Sequence, residues 1–361
     1  MRLAFFEDGA WRFLEPLTSV KPLFLLEVGG RRLYEYWAEA LKPDGVALYV
    51  RDELSGLYTW LLRVREERDV EVNPETLEGE TLAINHSLFP LPRALELAGK
   101  IVGWPGNVLV HRGGRVLMVK VTASFAGTLA EILRGEPTPE LFLNLLESTT
   151  DVPFPDAPEA SGPGDVLRYS LEVLSSLKSR IEGEVEEGVV MDTRRGTVVV
   201  DKGARVESGA RLVGPVYLGP GVVVRAGSRI ESCTLHSNSI VGGVLEECVA
   251  GPYCVAPDTR WRGLLTPGYA EFAPLTVAWG GVSVVGYATL VAPLSSLEGD
   301  CRVGTGCEIR GRFAGSLPPM KRFDEGRVED LDRASVGRRL RRLLEGFGLL
   351  PSDYELRLLK K

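Results

Sequence analysis

One row of aliphatic residues constrains this chain more than any other feature of its sequence. Six of them stand six positions apart without a break, and the fourth residue after each is small or β-branched. They are Val200, Val206, Leu212, Leu218, Val224 and Ile230. A period of six matches neither the 3.6-residue period of a helix nor the 2-residue period of a strand. It predicts a hexapeptide repeat, in which each hexapeptide supplies one short strand of a three-sided parallel β-helix with coils about 4.8 Å apart.

A second row continues the pattern with its phase shifted by one residue. Its members are Val255, Trp261, Pro267, Ala273, Trp279, Val285, Val291, Leu297, Val303 and Ile309. The shift falls between His236 and Val249 and predicts a bulge or small loop that breaks the coil. Trp261 and Pro267 are poor interior residues, so we expect an irregular middle between two regular ends. At about eighteen residues per coil, residues 189–313 would form about seven coils.

The overall composition excludes some classes of function. The chain has 361 residues, 44% of them hydrophobic, and a formal net charge of −7, which argues against a general nucleic-acid binder and thus against DNA as a partner. No apolar run approaches the roughly 18 residues that a membrane helix needs, and the first residues predict a strand rather than a signal peptide. We therefore expect a cytoplasmic protein without a membrane partner. All five cysteines lie within the predicted solenoid and form no C-x-x-C pair, which indicates packing rather than metal or disulfide roles.

Ahead of the solenoid, strand and helix patterns alternate. Strands are predicted at 3–6, 46–50, near 70, and at 82–84, 108–110 and 116–121, with helices over 33–41 and 57–64. This order predicts an α/β domain with a parallel sheet and helices on both of its faces. Sheets of this kind bind ligands outside the carboxyl ends of their strands.

These patterns divide the chain into four parts. We assign an α/β domain to 1–150, a linker and bridging helix to 151–187, the β-helix to 188–314, and a helical tail to 315–361. The linker is rich in Pro and Gly, and helical periodicity starts at Asp165. A tail helix is predicted over 329–344 with four arginines between Arg338 and Arg342, and Ser352 and Glu355 have capping-box spacing. The arginines could bind phosphate or RNA, or form a solvated helix face or subunit contact.

Short motifs near both ends of the chain occur in a recognisable order. Glu7-Asp8 follows the first strand, and then come Leu-Glu-Pro-Leu-Thr at 14–18, Lys-Pro-Leu-Phe-Leu-Leu at 21–26 and a Gly-Gly before Tyr-Glu-Tyr-Trp. Residues 318–323, Pro-Pro-Met-Lys-Arg-Phe, precede the arginine-rich helix. Over nearly the whole chain this order resembles sugar nucleotidyltransferases. It is most similar to the divergent bacterial and archaeal branch of the bifunctional N-acetylglucosamine-1-phosphate uridylyltransferase/glucosamine-1-phosphate acetyltransferase family.

The resemblance implies a Rossmann-like nucleotidyltransferase domain joined to a left-handed β-helix that forms a homotrimer. Its substrates would be a nucleoside triphosphate and a sugar 1-phosphate, giving a nucleotide sugar of the UDP-N-acetylglucosamine type and pyrophosphate with the help of Mg²⁺. Acetyl-coenzyme A would be a further substrate only if the β-helix were active.

The resemblance also implies roles for particular residues. Lys21 stands where the branch carries an arginine and is expected to contact phosphate. Asn85 matches an asparagine of the branch, and its amide oxygen is a candidate ligand for the metal. The expected substrate-binding residues are Glu7, Asp8, Thr18, Asn85 and His86.

The chain also departs from the family pattern. Glu7 and Asp8 occupy the place of the Gly-rich loop that cradles phosphates in ordinary members. Trp261 stands where acetylating members carry a catalytic histidine, and His236 is the candidate substitute base. Three hypotheses follow: an active nucleotidyltransferase, a catalytically degenerate nucleotide-sugar-binding or regulatory trimeric scaffold, and an acetyl-coenzyme A-dependent acyltransferase. The first two are favoured over the third.

Overall fold

The computed structural model describes residues 1–145 and 149–360. They form two compact units. The first contains Met1–Phe13, Pro22–Leu25 and Arg32–Ser161, and the second contains Leu14–Lys21, Leu26–Arg31 and Gly162–Lys361. Among the described residues, no helix has the length and apolar character that crossing a membrane requires.

The first 161 residues contain nine strands and five α-helices in the described part of the chain. In chain order they are β1 Arg2–Phe6, β2 Glu27–Val28, β3 Arg31–Arg32, α1 Leu33–Leu41, β4 Gly45–Tyr49, α2 Asp52–Tyr58, β5 Glu71–Val72, β6 Thr81–Asn85, α3 Pro92–Val102, β7 Asn107–Arg112, β8 Arg115–Val121, α4 Ala126–Arg134, α5 Pro139–Leu145 and β9 Thr149–Pro153. A π-helical segment, Thr59–Arg65, continues α2, and 3-10 turns cover Gly9–Leu14, Leu23–Leu25 and Ala123–Phe125.

Seven of these strands form one sheet in the order β5-β4-β1-β6-β8-β7-β9. Strands β5, β4, β1 and β6 are parallel, as the alternating pattern predicts. β8 runs antiparallel to both of its neighbours because it follows β7 in a hairpin. The hairpin turn is Gly113-Gly114, and both glycines have positive φ, which suits a tight two-residue turn.

Strand β1, in the interior of this sheet, is buried on both faces. Phe5 packs against Phe24 and Tyr34, with ring centroids about 6 Å apart, whereas Phe6 packs against Phe142 on the opposite face. Successive side chains of a strand point to opposite faces, so helix α1 and helix α5 lie on different sides of the sheet. The sequence expectation of helices on both faces is confirmed.

The second unit is dominated by short strands. The elements from residue 163 onward are α6 Pro163–Ser175, β10 Arg180–Ile181, β11 Glu184–Val185, β12 Val190–Asp192, β13 Val198–Val200, β14 Arg205–Val206, β15 Arg211–Leu218, β16 Val223–Val224, β17 Arg229–Leu235, β18 Ile240–Ala250, β19 Val255–Thr266, β20 Glu271–Phe272, β21 Thr276–Trp279, β22 Ser283–Val285, β23 Leu290–Val291, β24 Ser296–Glu298, β25 Arg302–Val303, β26 Glu308–Arg310, β27 Arg312–Phe313, β28 Ser316–Leu317, β29 Lys321–Asp324, β30 Arg327–Asp330, α7 Arg333–Glu345 and α8 Asp353–Arg357. A 3-10 turn, Leu358–Lys360, follows α8.

Strands β10 to β29 pair in parallel from coil to coil and form a left-handed β-helix of about eight turns. In its regular part each strand pairs with the strand eighteen residues on, as Arg205 pairs with Val223 and Val284 with Arg302. The six aliphatic residues of the first row all lie fully buried in the core of this prism. Their small or β-branched companions are buried as well.

The phase shift in the sequence comes from shortened coils and a bulge rather than from a loop that breaks the coil. Arg229 of β17 pairs with Val244, and Ile240 of β18 pairs with Val255, so each step is fifteen residues. A bulge then displaces the β18–β19 pairing after Val241. Parallel backbone pairing continues through these strands.

This adjustment decides which residues of the second row face inward. Trp261 is buried in the prism and packs edge-on against Phe272, with ring centroids 4.4 Å apart. Our expectation that Trp261 is a poor interior residue was wrong. Phe272 and Ala278 fill the core in place of their row neighbours Ala273 and Trp279, and Trp279 is 55% exposed. The predicted row is regular again from Val285 to Ile309.

The tail packs against the solenoid of its own unit. Helix α7 begins at Arg333 rather than at residue 329, because β30 pairs antiparallel with β29 and Asp332 caps the helix at Ser335 N. Arg339 donates hydrogen bonds to the carbonyl oxygens of Ala288, Gly306 and Cys307, so this member of the arginine cluster is a packing residue. The other three arginines of the cluster are exposed. The predicted capping box of Ser352 and Glu355 is confirmed.

The two tryptophans of the middle coils provide a matched test of the core. We expect Trp261→Ala to lower the free energy of unfolding by about 3–5 kcal/mol, because it opens a cavity inside the prism. Trp279→Ala removes the same atoms from an exposed site and should change stability by less than about 1 kcal/mol. Urea unfolding followed by circular dichroism measures both. Equal losses for the two variants would contradict the inward position of Trp261.

Candidate active site

The carboxyl edge of the first sheet gathers charged side chains from several strands. β1 and β6 are parallel and in register, with Phe6 opposite Asn85, so the residues that follow them meet at one edge. Glu7 and Asp8 follow β1, and His86 follows β6, its N–H bonded to Phe6 O at 2.8 Å. Arg115 opens β8 at the same edge, since that strand runs in the opposite direction.

Asp8 and Arg115 form the centre of this cluster. Arg115 Nε lies 2.7 Å from Asp8 Oδ2, and Arg115 Nη2 lies 2.8 Å from Asp8 Oδ1. The guanidinium thus holds the carboxylate through two parallel hydrogen bonds, the strongest ion-pair geometry available to arginine. Both side chains are partly exposed, by 19% for Arg115 and 16% for Asp8.

Glu159 binds the remaining side of the same guanidinium. Its Oε1 accepts a hydrogen bond from Arg115 Nη1, and its Oε2 lies 3.6 Å from Arg112 Nη1. The backbone places Glu159 here because it bridges to Leu88, just beyond the end of β6. Two carboxylates and two arginines therefore alternate along the edge, and their formal charges cancel.

Asn85 and His86 make further polar contacts with Asp8. Asn85 Nδ2 donates to Asp8 Oδ2 at 2.9 Å and to Val116 O at 3.0 Å, while its Oδ1 accepts from the Ser87 N–H and hydroxyl. His86 Nε2 lies 3.3 Å from Asp8 Oδ1, and its side chain is fully buried. Three of the five residues expected to bind substrate, namely Asp8, Asn85 and His86, thus form one cluster, and their role in substrate binding stays a prediction.

A second pair lies at the ends of β1 and β4. The buried Glu7 carboxylate lies 3.4 Å from Arg51 Nε. The Arg51 guanidinium in turn stacks on Trp11, with its central carbon 3.7 Å from the ring centroid. Burial raises the pKa of Glu7, and the positive charge of Arg51 opposes that rise.

The pKa of Asp8 is displaced in the opposite direction. Burial alone would raise the pKa of this carboxyl, but its hydrogen bonds to His86 and Arg115 and their charges outweigh burial and hold the pKa well below its usual range. Asp8 is therefore an anion at every pH at which the protein is expected to work.

The donors do not fit a magnesium ion in this arrangement. A hard cation needs several oxygen ligands with free lone pairs. Arg115 takes both oxygens of Asp8, and Ser87 takes the amide oxygen of Asn85, which is the candidate metal ligand of the sequence analysis. Over the described residues, no three His, Cys, Asp or Glu side chains converge as a metal site would require.

The other residues singled out in the sequence belong to the second unit. Thr18 is buried there. Burial raises the pKa of the Cys254 thiol to about 12, and the positive charge of nearby Lys21 opposes that rise. Thr18 and Lys21 are both grouped with the second unit by their contacts. Their assignment as substrate contacts stays a prediction.

His236, the candidate base, lies inside the second unit. Its Nε2 is 3.2 Å from Thr234 Oγ1, its Nδ1 is 3.5 Å from Glu27 Oε2, and its side chain is only 4% exposed. The ring also packs on Tyr217, with centroids 5.6 Å apart. These contacts are those of a histidine that holds β2 against the solenoid, and little of its ring is open to a substrate.

Sequence reasoning missed Arg115, Glu159 and Arg51. Two signals were present: the Gly113-Gly114 turn sets Arg115 at the start of a returning strand, and Arg51 follows a buried strand. Glu159 lies in the Pro-rich segment that we assigned to a linker. Its role depends on a long-range backbone pairing that no local pattern announces.

The depressed pKa of Asp8 predicts how stability depends on pH. Asp8→Asn should lower the free energy of unfolding by about 3 kcal/mol near neutral pH, because it breaks a mostly buried ion pair. A carboxyl whose pKa is lower in the folded than in the unfolded protein stabilises the fold at pH values above its unfolded-state pKa, about 3.9. This stabilisation is lost as the pH falls below about 3.9. The difference between wild type and Asp8→Asn should therefore be constant above about pH 5 and shrink by about 1 kcal/mol by about pH 3. Urea unfolding at each pH measures it, and a difference that does not change with pH would show that Asp8 is not held as an anion.

Comparison with known proteins identifies the family of this chain. The family model described as sugar nucleotidyl transferase matches residues 3–187, just over half of the chain. A crystal structure assigned as a glucose-1-phosphate thymidylyltransferase from Bacillus anthracis, in complex with sucrose, shares 11% identity over 50% of this chain and 97% of its own, with a TM-score of 0.36. That likeness is too distant to carry a conclusion, and no curated protein matches the sequence. On the match of the family model, the chain belongs to the sugar nucleotidyl transferase family.

Proposed function

We propose that this protein transfers a nucleotidyl group from a nucleoside triphosphate to a sugar 1-phosphate at the carboxyl edge of its first sheet. The observation that carries the proposal is the convergence of Arg51, Arg112 and Arg115 at this edge, in a chain of the sugar nucleotidyl transferase family. Open α/β sheets bind their ligands at this position. Both substrates are polyanions, and arginine recognises phosphate groups through paired hydrogen bonds.

For this reaction the protein has mainly to position the two substrates and to supply positive charge. An oxygen of the sugar 1-phosphate attacks the α-phosphorus, the bond from that phosphorus to the bridging oxygen breaks, and pyrophosphate leaves with both electrons of that bond. No covalent bond to a side chain is required. Arg115 and Arg112 would hold phosphate oxygens, and Asn85 and His86 would keep Asp8 in place. The resemblance to the uridylyltransferase branch makes UTP and N-acetylglucosamine 1-phosphate the first pair to test.

A second candidate is a protein that binds a nucleotide sugar without turning it over. The observation that favours it is the internal pairing of the edge, where Asp8 and Glu159 neutralise Arg115 and Arg112. Arginines whose charge is already neutralised supply less stabilisation to the charge that develops in the transition state, which favours binding without turnover.

The acyltransferase hypothesis has the least support. Trp261, at the position of the expected catalytic histidine, is packed inside the prism, and His236 is nearly inaccessible. We propose instead that the β-helix is a scaffold for a homotrimer. Exposed Leu275 and Leu294 lie on adjacent coils, where Leu294 N bonds Pro274 O, and they offer apolar surface for a contact between copies.

The primary test is a panel of nucleoside triphosphates and sugar 1-phosphates, with magnesium present, monitored for pyrophosphate. We expect release with UTP and N-acetylglucosamine 1-phosphate, and a rate lower by about 10² in Arg115→Met, which loses a preorganised cationic donor. Arg338→Met, on the exposed face of the tail helix, is the matched control and should keep the wild-type rate. If no pair releases pyrophosphate while UDP-N-acetylglucosamine raises the melting temperature of the protein, its function is to bind a nucleotide sugar without turning it over.

A separate test addresses acetyl transfer. We expect no thiol release from acetyl-coenzyme A with glucosamine 1-phosphate, and a loss of about 1–3 kcal/mol of stability in His236→Ala, because Thr234 and Glu27 lose a buried partner. Ellman's reagent measures the first and urea unfolding the second. Thiol release that wild type shows and His236→Ala lacks would establish His236 as a base.

A further inference from the structure

One guanidinium at the edge of the first sheet is shared by two carboxylates, and the two bind it differently. Asp8 covers the Nε and Nη2 side of Arg115 with both of its oxygens, at 2.7 and 2.8 Å. Glu159 takes only Nη1. The side that Asp8 covers is the planar fork that arginine presents to carboxylate and phosphate alike.

We propose that Asp8 is an internal substitute for a phosphate group: it occupies the fork of Arg115 in the free protein and yields it to a phosphate or pyrophosphate anion. This inference rests on the proposed function and names Arg115 as the residue of that site which binds the anion. No covalent bond changes; one bidentate anion replaces another on the same two donors.

The contacts of Asp8 allow it to leave Arg115 without losing all its partners. Its carboxylate also accepts hydrogen bonds from Asn85 Nδ2 at 2.9 Å and from Ala10 N at 3.1 Å, and His86 Nε2 lies 3.3 Å away. A buried carboxylate stripped of every donor would cost several kcal/mol, but these donors stay available to Asp8 after another anion has taken its place on the guanidinium.

The contacts of Arg115 also suit the exchange. Glu159 is 7% exposed and keeps hold of Nη1, so the guanidinium remains oriented after Asp8 has withdrawn. Arg112 lies 3.6 Å from Glu159 and supplies a second positive charge. A pyrophosphate carries more negative charge than one carboxylate and meets both arginines, so Coulomb attraction favours the exchange at close range.

The proposal accounts for an acidic residue, Asp8, at a place where phosphate binding should disfavour one. Asp8 keeps Arg115 extended and hydrogen-bonded when no anion is present, and a ligand with too little charge to displace it is rejected. The site would thereby discriminate polyphosphates from singly charged anions.

The test is calorimetric titration of the full-length protein with inorganic pyrophosphate in EDTA, so that no metal intervenes. Asp8→Asn removes the competing charge, and we expect it to bind pyrophosphate at least about tenfold more tightly than wild type. Arg115→Lys cannot form the fork, and we expect it to bind at least about tenfold more weakly. Asp44→Asn makes the same charge change just ahead of β4, at the opposite edge of the sheet, and Arg93→Lys changes an exposed arginine of α3. Both controls should bind like wild type.

Unchanged or weaker binding by Asp8→Asn would overturn the proposal, and so would equal tightening in Asp44→Asn, which would reflect net charge alone. If Asp8→Asn does not fold, Asp8→Ser offers a neutral hydroxyl to Asn85 and Ala10, and the same tightening is expected. The titration is independent of turnover. Tighter binding by Asp8→Asn with no pyrophosphate release in the substrate panel would reject nucleotidyl transfer and support the anion site. Pyrophosphate release in the panel without tighter binding by Asp8→Asn would support nucleotidyl transfer and reject the proposed role of Asp8.

Discussion

Parallel strand pairing is the constraint on which both parts of this molecule depend. In a parallel pair, equivalent positions of successive strands lie at the same level, and the carboxyl ends share an edge. In the solenoid this places one aliphatic residue above another and gives the prism an apolar core. In the first sheet it brings the residues after β1 and β6 together. A single geometric rule therefore produces a scaffold in one unit and a candidate site in the other.

The candidate site is organised by charge compensation. Ion pairs of this kind form only when each buried charge finds a partner and the remaining lone pairs find donors. Asp8 meets both conditions through Arg115, Asn85 and His86, and Glu159 meets the first through Arg115 and Arg112. The result is an edge that is formally balanced yet rich in arginine. Such an edge can receive a polyanion only by exchanging partners, which distinguishes it from a Gly-rich loop whose backbone N–H groups are free to bind phosphate directly.

The solenoid tolerates irregular coils because its interior is defined by burial and not by a fixed spacing. Shortened steps of fifteen residues and a bulge at β17 to β19 shift the phase of the inward positions, and Trp261 and Phe272 pack against each other in the core. Aromatic residues bury more area than the aliphatic residues they replace. Because Trp261 is packed in the core, it cannot take part in chemistry at the surface. The contacts of His236, the candidate base, likewise keep its ring away from the surface.

The sequence by itself determined the elements that local periodicity encodes. The six-residue row predicted the β-helix, and the alternating pattern predicted an α/β sheet with helices on both faces. The choice of Glu7, Asp8, Asn85 and His86 as site residues came from the resemblance to a family and stays a prediction. Only the tertiary structure decided the rest. Arg115 enters the cluster because a hairpin reverses the strand that carries it, and Glu159 because the chain returns from far along the sequence to pair with Leu88. Thr18 and Lys21 belong to the solenoid unit although the strand that precedes them belongs to the other. Such long-range pairings are set by the packing of whole elements, and that information is not contained in the spacing of neighbouring residues.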